Sequence, residues 1–483
     1  MRYGIVSKLV GSILVIDAFL MLPALMIAFY YKESSLIPFV GAFGATLITG
    51  LLLSKVIFKQ EIKGIRIKEG LAVVTFGWIA VSLFGALPFY LSGSIPSFVD
   101  ALFETVSGFT TTGASILVDV EILDKSILFW RSFTHWIGGM GILVFTLALL
   151  PAYGMGNFQM FKAEAPGPTH GKLAPHIKNT ARTLYITYIG LTILEMIFLA
   201  IGGVSWFDSA VLTFGTVGTG GFAPYNDSVA GFSTYVQMVI SVFMILAGVN
   251  FSLHVLLFKG KIKDVLSDSE LRMYLRFVVI AIVLVTINLA IVHYDDVGHS
   301  LRDSIFQVSS IITTTGYATV DFQTWPSFSK FILLGLMFIG GSAGSTAGGM
   351  KVIRILILFK LIKREISKIF HPNAFVPVKL AKKVVPNEVV ARINSFLALH
   401  LFVFLIGTLL ISLDNVDMIT AVSSVAATLN NIGPGLELVG PSSNYANFSA
   451  FSKVLFTFIM LLGRLELFTI VALIVPQRWS KES

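Results

Sequence analysis

Thr110-Thr111-Thr112-Gly113 decides how this chain is read, because the same kind of turn returns three more times. The later copies are Thr219-Gly220-Gly221-Phe222, Thr313-Thr314-Thr315-Gly316 and Asn430-Asn431-Ile432-Gly433. Each follows a short apolar segment, near 101–111, 209–219, 304–314 and 421–431. A bilayer takes about twenty residues of helix to cross, so none of the four is a span. Counting back thirteen residues from each glycine reaches Asp100, Asp208, Asp303 and Thr420, all residue types that cap helix starts. The expected unit is therefore a capped half-helix and an extended Thr/Gly turn, repeated four times as re-entrant pore loops around one ion path.

Composition supports a membrane reading. The 483 residues are 55% hydrophobic and only 13% charged, with a mean hydropathy of +0.84; soluble proteins carry about 25% charged residues. The first apolar run, from Leu9 to Tyr31, is longer than a signal-peptide core and lacks a small-residue cleavage site, so it is expected to remain as a span. Cysteine is absent from the sequence, which removes disulfides and thiolate metal sites from consideration.

Apolar runs of spanning length fall near 9–31, 36–58, 69–91, 127–150, 182–204, 234–258, 275–293, 327–362, 393–413 and 451–475. Lys and Arg set their orientation. With the N-terminus inside, most of the 35 basic residues lie in cytoplasmic connections, including Lys55, Lys59, Lys63, Arg66 and Lys68, then Lys162, Lys172, Lys178 and Arg182, then Lys259 to Arg276, then 351–392. Outer connections hold acids such as Asp119, Glu121, Asp124, Asp227, Asp295, Asp296 and Asp321. The net charge of +8 is thus a topology signal and gives no reason to expect nucleic acid. All four half-helices then lie on the outer side, each between an outward and an inward span. The expected fold is an all-α polytopic membrane protein. It comprises an N-terminal two-helix hairpin (1–63) and four pseudo-symmetric repeats around a central pore (64–160, 161–262, 263–378 with a broken second helix, and 379–483).

The turns carry the chemistry. A potassium filter replaces the hydration shell of the ion with rings of backbone carbonyls. Gly113, Gly220, Gly221, Gly316 and Gly433 supply the φ freedom for aligned carbonyls. Thr111, Thr112, Thr219, Thr314 and Thr315 favour extended backbone and add hydroxyl oxygens, while Asn431 and Ile432 make the fourth wall different. The external acids Asp119, Glu121, Asp124 and Asp321 read chiefly as solvated loop residues. Any single Thr-Gly cluster is explained equally well as a tight turn or a close helix contact; four in the same context, on the same side, are not.

One span is interrupted. After the third turn the run Phe331–Ile339 breaks into ten small residues, Gly340-Gly341-Ser342-Ala343-Gly344-Ser345-Thr346-Ala347-Gly348-Gly349. Each glycine costs a helix about 0.8–1 kcal/mol against alanine. Gly340 lies thirteen residues from Ser327, about 20 Å below the outer surface at 1.5 Å per residue, which places the break just under the filter as a candidate gate; the plainer alternative is a small-residue face that lets helices pack closely. Arg464 lies thirteen residues from Phe451, at nearly the same depth. A charge there is costly and is usually paired or functional. It is suited to donate to carbonyls freed by the broken helix, or to form an ion pair with Glu466 or Glu195, although Glu466 projects from another face.

Together these features resemble the Trk/Ktr/HKT superfamily of potassium transporters, most closely its bacterial TrkH branch, over essentially the whole chain. The marks are the four turns already quoted (the third running on to Tyr317, the fourth to Gly435), His135-Trp136-Ile137-Gly138-Gly139-Met140-Gly141 and the Gly340–Lys351 stretch, with the extra hairpin separating TrkH-like from Ktr-like members. The resemblance implies one pore per protomer, a homodimer in the bacterial inner membrane with both termini cytoplasmic, and K+ as permeant ion with no cofactor bound by this chain. It further implies a gating loop on Gly340–Gly349 with Arg464 as its basic partner. It also implies a cytosolic nucleotide-binding regulatory ring (TrkA-like), for which 162–182, 259–276 and 351–392 are candidate docking surfaces. In plant relatives a serine at the first filter glycine accompanies sodium transport, so Gly113 implies potassium.

An enzyme would need convergent nucleophiles, metal ligands or paired carboxylates; His135 and His254 stand without ligand spacing, and no HExxH or GxSxG occurs. A cation-coupled secondary transporter also uses broken helices near the midplane, but is usually built of two inverted halves where this chain repeats four times in parallel.

Overall fold

The computed structural model describes residues 1–56, 66–141, 177–374, 376–380 and 383–474. The expected boundaries at 63/64 and 160/161, the inner end of the 127–150 run and most of the 162–182 loop lie outside the described residues. The described residues are mostly helical, and the strand structure among them is a two-residue antiparallel pairing of Lys379–Leu380 with Lys383–Val384. Six described helices are long and apolar enough to cross a membrane, and eight if two sharply bent pairs each count as one. The sequence led to ten. The shortfall arises because Lys125–Gly139 and Ser327–Ile339 are shorter than a full span within the described residues.

The N-terminal hairpin consists of Tyr3–Tyr31, with a joint at Met21, and Leu36–Leu51. It packs on Ile67–Gly85, the first helix of the first repeat. At its start Arg2 forms an ion pair with Glu69 at 2.7 Å. The repeats follow one plan. A long first helix (Ile67–Gly85, Ile177–Ile201, Ser269–Val292, Asn387–Ile411) leads to a half-helix: Phe98–Phe109, Trp206–Gly218, Val297–Ile312 and Met418–Leu429. A second helix then returns: Lys125–Gly139, Thr234–Ala247, Ser327–Ile339 and Ala450–Arg464.

The half-helices begin earlier than expected. Their caps are Ser97, Ser205, Asp296 and Asp417, whose side chains accept from first-turn N–H groups. In three repeats the residue taken for the cap is instead the donor: the N–H groups of Asp100, Asp208 and Thr420 donate to Ser97 Oγ, Ser205 Oγ and Asp417 Oδ1. Serine and aspartate cap equally well, so two candidates three residues apart could not be separated by residue type. Asp303 is no cap at all; it is buried within the third half-helix and pairs with Arg302 and His299.

The second helices correct the sequence reading more substantially. The runs 234–258 and 451–475 were expected to be continuous, but both fold sharply. Thr234–Ala247 meets Phe251–Phe258 at 99°, and Ala450–Arg464 meets Leu467–Leu473 at 110°. The bends fall at Gly248-Val249-Asn250 and at Leu465-Glu466, where Glu466 adopts a left-handed φ of 55°. Asn250 caps the new helix and His254 Nε2 lies 3.0 Å from the Leu246 carbonyl, so side chains satisfy the opened backbone. Such breaks inside a membrane protein persist only where protein covers them.

Packing closes the repeats into a ring. Each half-helix lies against the second helix of the repeat before it: Trp206–Gly218 on Lys125–Gly139, Val297–Ile312 on Thr234–Ala247, Met418–Leu429 on Ser327–Ile339, and Phe98–Phe109 on Ala450–Arg464. The last of these contacts joins the fourth repeat to the first, so the four turns that end the half-helices are brought to one axis.

Candidate functional site

Every half-helix ends in the same way. Thr111, Thr219, Thr314 and Asn431 take left-handed conformations, with φ of 55°, 58°, 58° and 54°. The N–H of the following residue reaches back to close the last turn: Thr112 to Ser107 O at 2.9 Å, Gly220 to Gly215 O at 2.8 Å, Thr315 to Ser310 O at 2.9 Å and Ile432 to Ala427 O at 2.8 Å. With the left-handed residue's own N–H bonded three residues back, to Gly108 O, Thr216 O, Ile311 O and Thr428 O, this is the Schellman C-cap, which normally recruits glycine. A non-glycine residue there costs about 1–3 kcal/mol and is retained where the surroundings over-determine it.

Two residues further on, Gly113, Gly221, Gly316 and Gly433 have φ of 78°, 80°, 85° and 100°. Positive φ at alternate residues turns successive carbonyls toward the same side, unlike a pleated strand, where they alternate. Glycine is needed for a second reason. A β-carbon on Gly113 would overlap the Gly220 carbonyl oxygen, one on Gly221 that of Thr315, and one on Gly316 that of Ile432; on Gly433 it would lie 2.7 Å from Thr112 O. Each glycine thus abuts the next repeat, and the fourth returns to the first. All four line one cavity of about 130 Å³, shared with Arg131 and Tyr445.

The carbonyls of Thr112, Gly113, Gly220, Gly221, Thr315, Gly316 and Ile432 accept no hydrogen bond among the described residues. Buried carbonyls are normally paired, so this cluster of free acceptors is exceptional. The Gly433 carbonyl differs, because it accepts from Tyr445 Oη at 2.9 Å. The fourth wall differs on its side-chain face too: Asn431 Nδ2 donates to Thr112 Oγ1 at 2.9 Å and to Met460 O at 3.0 Å. Threonines 110 and 112 share a hydroxyl contact at 2.7 Å, and 313 and 315 one at 2.8 Å. These hydroxyls brace the turns from behind.

Further braces flank the turns, and of these Glu104 and Arg131 were not singled out in the sequence. Tyr317 Oη donates to Leu212 O at 2.9 Å and Phe222 O at 3.2 Å, tying the third turn to the second. Arg131 pairs with Glu104 at 2.6 Å, both buried, donates to Ala223 O at 3.1 Å and stacks 3.6 Å over the Phe222 ring. Glu104 also accepts from Ser115 Oγ and the Ile116 N–H, each at 3.0 Å. Glu104 and Arg131 come from different helices of one repeat, and no local spacing announces them. His135 is buried with Nδ1 2.7 Å from Gly108 O and its ring against Phe222, a packing and capping role. The outer acids tie loops together: Asn226 Nδ2 donates to Asp119 at 2.8 Å, holding that carboxyl below its usual range, and Asp124 accepts from the Ser35 N–H at 3.2 Å.

Beneath the turns lies the interrupted segment. Ser327–Ile339 stops at Gly340 (φ 71°), and helix resumes at Val352 after Lys351. The limbs run back to back, Met350 N–H to Phe338 O at 3.1 Å and Lys351 N–H to Ile339 O at 3.0 Å. Gly340 and Gly349 permit this approach, since a β-carbon on Gly349 would lie 2.7 Å from Gly340 Cα. Of the other residues singled out in sequence, the Gly341 carbonyl accepts from Val352 N–H at 3.0 Å, Ser342 N–H donates to Gly248 O at 2.9 Å, and the Gly344 carbonyl accepts from Phe251 N–H at 3.0 Å. The tip reaches the half-helix ends: Thr346 Oγ1 donates to Val217 O at 3.0 Å, Gly348 N–H to Thr314 Oγ1 at 2.6 Å, and Gly349 N–H to Asn430 O at 3.0 Å.

Arg464 completes the arrangement. Its guanidinium donates to Thr346 O at 2.9 Å, to Gly138 O at 2.5 Å and to Gly139 O at 3.1 Å. It therefore bridges the loop tip to the C-terminal end of Lys125–Gly139, the first repeat's second helix. Glu466, considered as its ion-pair partner, is engaged instead by Arg354 at 2.6 Å. The segment and Arg464 together touch all four repeats directly under the ring of turns. Among the described residues no group of His, Asp or Glu has the geometry of a metal site.

Comparison with known proteins is consistent over the full length. A family model described as "TrkH: Cation transport protein" matches residues 42–482. The Trk system potassium uptake protein TrkH of Halomonas elongata is 34% identical, with both chains covered completely. The protein of the same name from Escherichia coli K12 is 36% identical, covering 99% of this chain and all of its own. Among solved structures, the crystal structure of the potassium transporter TrkH from Vibrio parahaemolyticus superposes with a TM-score of 0.87 at 33% identity, covering 99% of this chain and 100% of that one.

Proposed function

The chain belongs to the TrkH family of cation transport proteins, and on that premise we propose that it takes up potassium through a channel-like pore whose selectivity filter is the ring of four turns. The observation that carries this reading is the set of carbonyls at residues 112–113, 220–221, 315–316 and 432 that accept no hydrogen bond among the described residues, from four repeats whose glycines 113, 221, 316 and 433 line one cavity. In water a potassium ion is held by oxygen dipoles, and aligned carbonyls replace them without reorganisation. Four half-helix C-termini aimed at the same axis each favour a cation by about 0.3–1 kcal/mol. Thr111, Thr219, Thr314 and Asn431 hold the strained turns in register, and the Gly433 carbonyl, already engaged by Tyr445, makes the weakest ligand of its ring.

The Gly340–Gly349 segment is the gate, held across the inner mouth by Arg464, whose charge also repels cations there. The functional units are the hairpin at 1–63 and pore repeats at 64–160, 161–262, 263–378 and 379–483. The protein works as a homodimer in the bacterial inner membrane, both termini cytoplasmic. A separate nucleotide-binding ring of the TrkA kind docks on the basic inner connections, 162–182, 259–276 and 351–392. The alternative is obligatory coupling of potassium to sodium or protons. Flux in liposomes under a potassium gradient alone separates the two: channel-like conduction proceeds without a second ion, whereas absence of flux until sodium or a proton gradient is supplied would overturn the channel reading.

A further inference from the structure

Glu270 opens the first helix of the third repeat, Ser269–Val292, but does not serve that helix. Asp268 already caps it, accepting from Leu271 N–H at 2.8 Å. The Glu270 side chain turns instead toward the interrupted segment and is almost fully buried there, 8% exposed. One oxygen, Oε1, accepts two backbone N–H groups, from Ala343 at 2.6 Å and from Ile353 at 3.2 Å. Ala343 lies on the limb leaving Ser327–Ile339, and Ile353 in the first turn of the helix that follows the segment.

Both donors need an acceptor from outside. The N–H of Ile353 is among the first of its helix, which have no intrahelical partner, and Lys351 at the cap position makes no side-chain cap. Lys351 is committed elsewhere, its buried Nζ donating to Ala347 O within the segment. A carboxylate accepting from backbone N–H is among the stronger hydrogen bonds available, and this one joins the two limbs through a single atom.

We propose that Glu270 is the positioning residue that staples the two limbs of the Gly340–Gly349 segment together at its inner end and so keeps the segment seated under the pore. Arg464 ties the tip, through Thr346 O, to Gly138 and Gly139 of the first repeat; Glu270, from the third repeat's own first helix, joins Ala343 to Ile353. The consequence for flux rests on the reading of the segment as the gate, whereas the staple itself does not.

The test uses the full chain reconstituted in liposomes, with hydrogen exchange measured on the same preparations. In Glu270→Ala the amides of Ala343 and Ile353 exchange faster, and basal potassium flux rises about tenfold, the equivalent of about 1.4 kcal/mol. Glu270→Gln keeps an Oε1 acceptor at the same reach and restores most of the protection and low flux. Glu270→Asp is one methylene short, reaches at most one limb, leaves at least one of the two amides fast-exchanging and raises flux as alanine does. In a background with Gly340–Gly349 shortened, Glu270→Ala adds nothing further to flux. Protection in Asp equal to or better than that in Gln would overturn the staple, because charge and not reach would then be what matters. Unchanged exchange in an assembled Glu270→Ala protein would overturn it outright. Faster exchange without any rise in flux would leave the staple standing and remove the gate reading instead. Should the alanine variant fail to assemble, the Asp and Gln variants decide the matter between themselves.

Discussion

Replacing Arg464 with alanine isolates the contact between the interrupted segment and the rest of the pore. In the structure the guanidinium reaches Thr346 O at 2.9 Å on the segment, and Gly138 O at 2.5 Å and Gly139 O at 3.1 Å on the first repeat. A hydrogen bond from a charged donor contributes about 1.5–3 kcal/mol, and only the bond to Thr346 distinguishes a seated from a displaced segment directly. At about 1.4 kcal/mol per factor of ten, its loss raises the displaced population about 10- to 100-fold until that population dominates. Removing a positive charge under the pore acts in the same direction by easing cation entry. Two further variants separate the effects: Arg464→Lys keeps the charge but lacks a fork that spans three carbonyls, and Arg464→Gln keeps a donor without the charge. The assay is potassium flux into liposomes without any regulatory subunit, after size-exclusion chromatography shows correct assembly. Flux that stays at the unsubstituted level in assembled Arg464→Ala would refute the argument.

Other substitutions probe other parts of the site. Gly113→Ser places a β-carbon onto the Gly220 carbonyl oxygen at a φ of 78°, so discrimination between potassium and sodium falls, measured as the permeability ratio; an unchanged ratio would count against the filter assignment. Shortening Gly340–Gly349 raises flux if the segment obstructs the pore, and normal flux regulation in that variant would reduce it to a packing element. Glu104→Ala strands the buried guanidinium of Arg131, and breaking a buried pair costs about 3–5 kcal/mol. A marked drop in thermal midpoint is therefore expected, and a midpoint within a degree of the unsubstituted protein would show that the pair does not brace the turns.

The four turns were legible because glycine at 113, 221, 316 and 433, each two residues after a threonine or asparagine, answers a local backbone demand that residue type expresses directly. The broken span at Gly340–Gly349 was legible for the same reason: ten small residues cannot sustain a helix. The other two breaks were hidden. At Gly248-Val249-Asn250 a single glycine sits in an apolar run, and at Leu465-Glu466 the left-handed residue is a glutamate with no propensity for that conformation. Those bends are imposed by the neighbouring repeats, not by the local chain. In three repeats the helix caps were misplaced by three residues because Ser97 and Asp100, or Asp417 and Thr420, are chemically interchangeable as caps, and in the third repeat Asp303 was taken for the true cap Asp296 seven residues earlier. The bracing contacts of Glu104, Arg131, Tyr317, Tyr445 and Glu270 join residues whose proximity exists only once the ring has closed. Arg464 stood out by its depth, yet which carbonyls it reaches depends on a helix end far away in sequence.

The most direct test is to locate the permeant ion itself. Crystals of the full chain grown with rubidium or thallium in place of potassium are predicted to give anomalous density on the axis of the ring, ligated by main-chain oxygens from residues 112–113, 220–221, 315–316 and 432. A well-ordered map with no ion at that position, or with the ion held by side chains away from the four turns, would contradict the account.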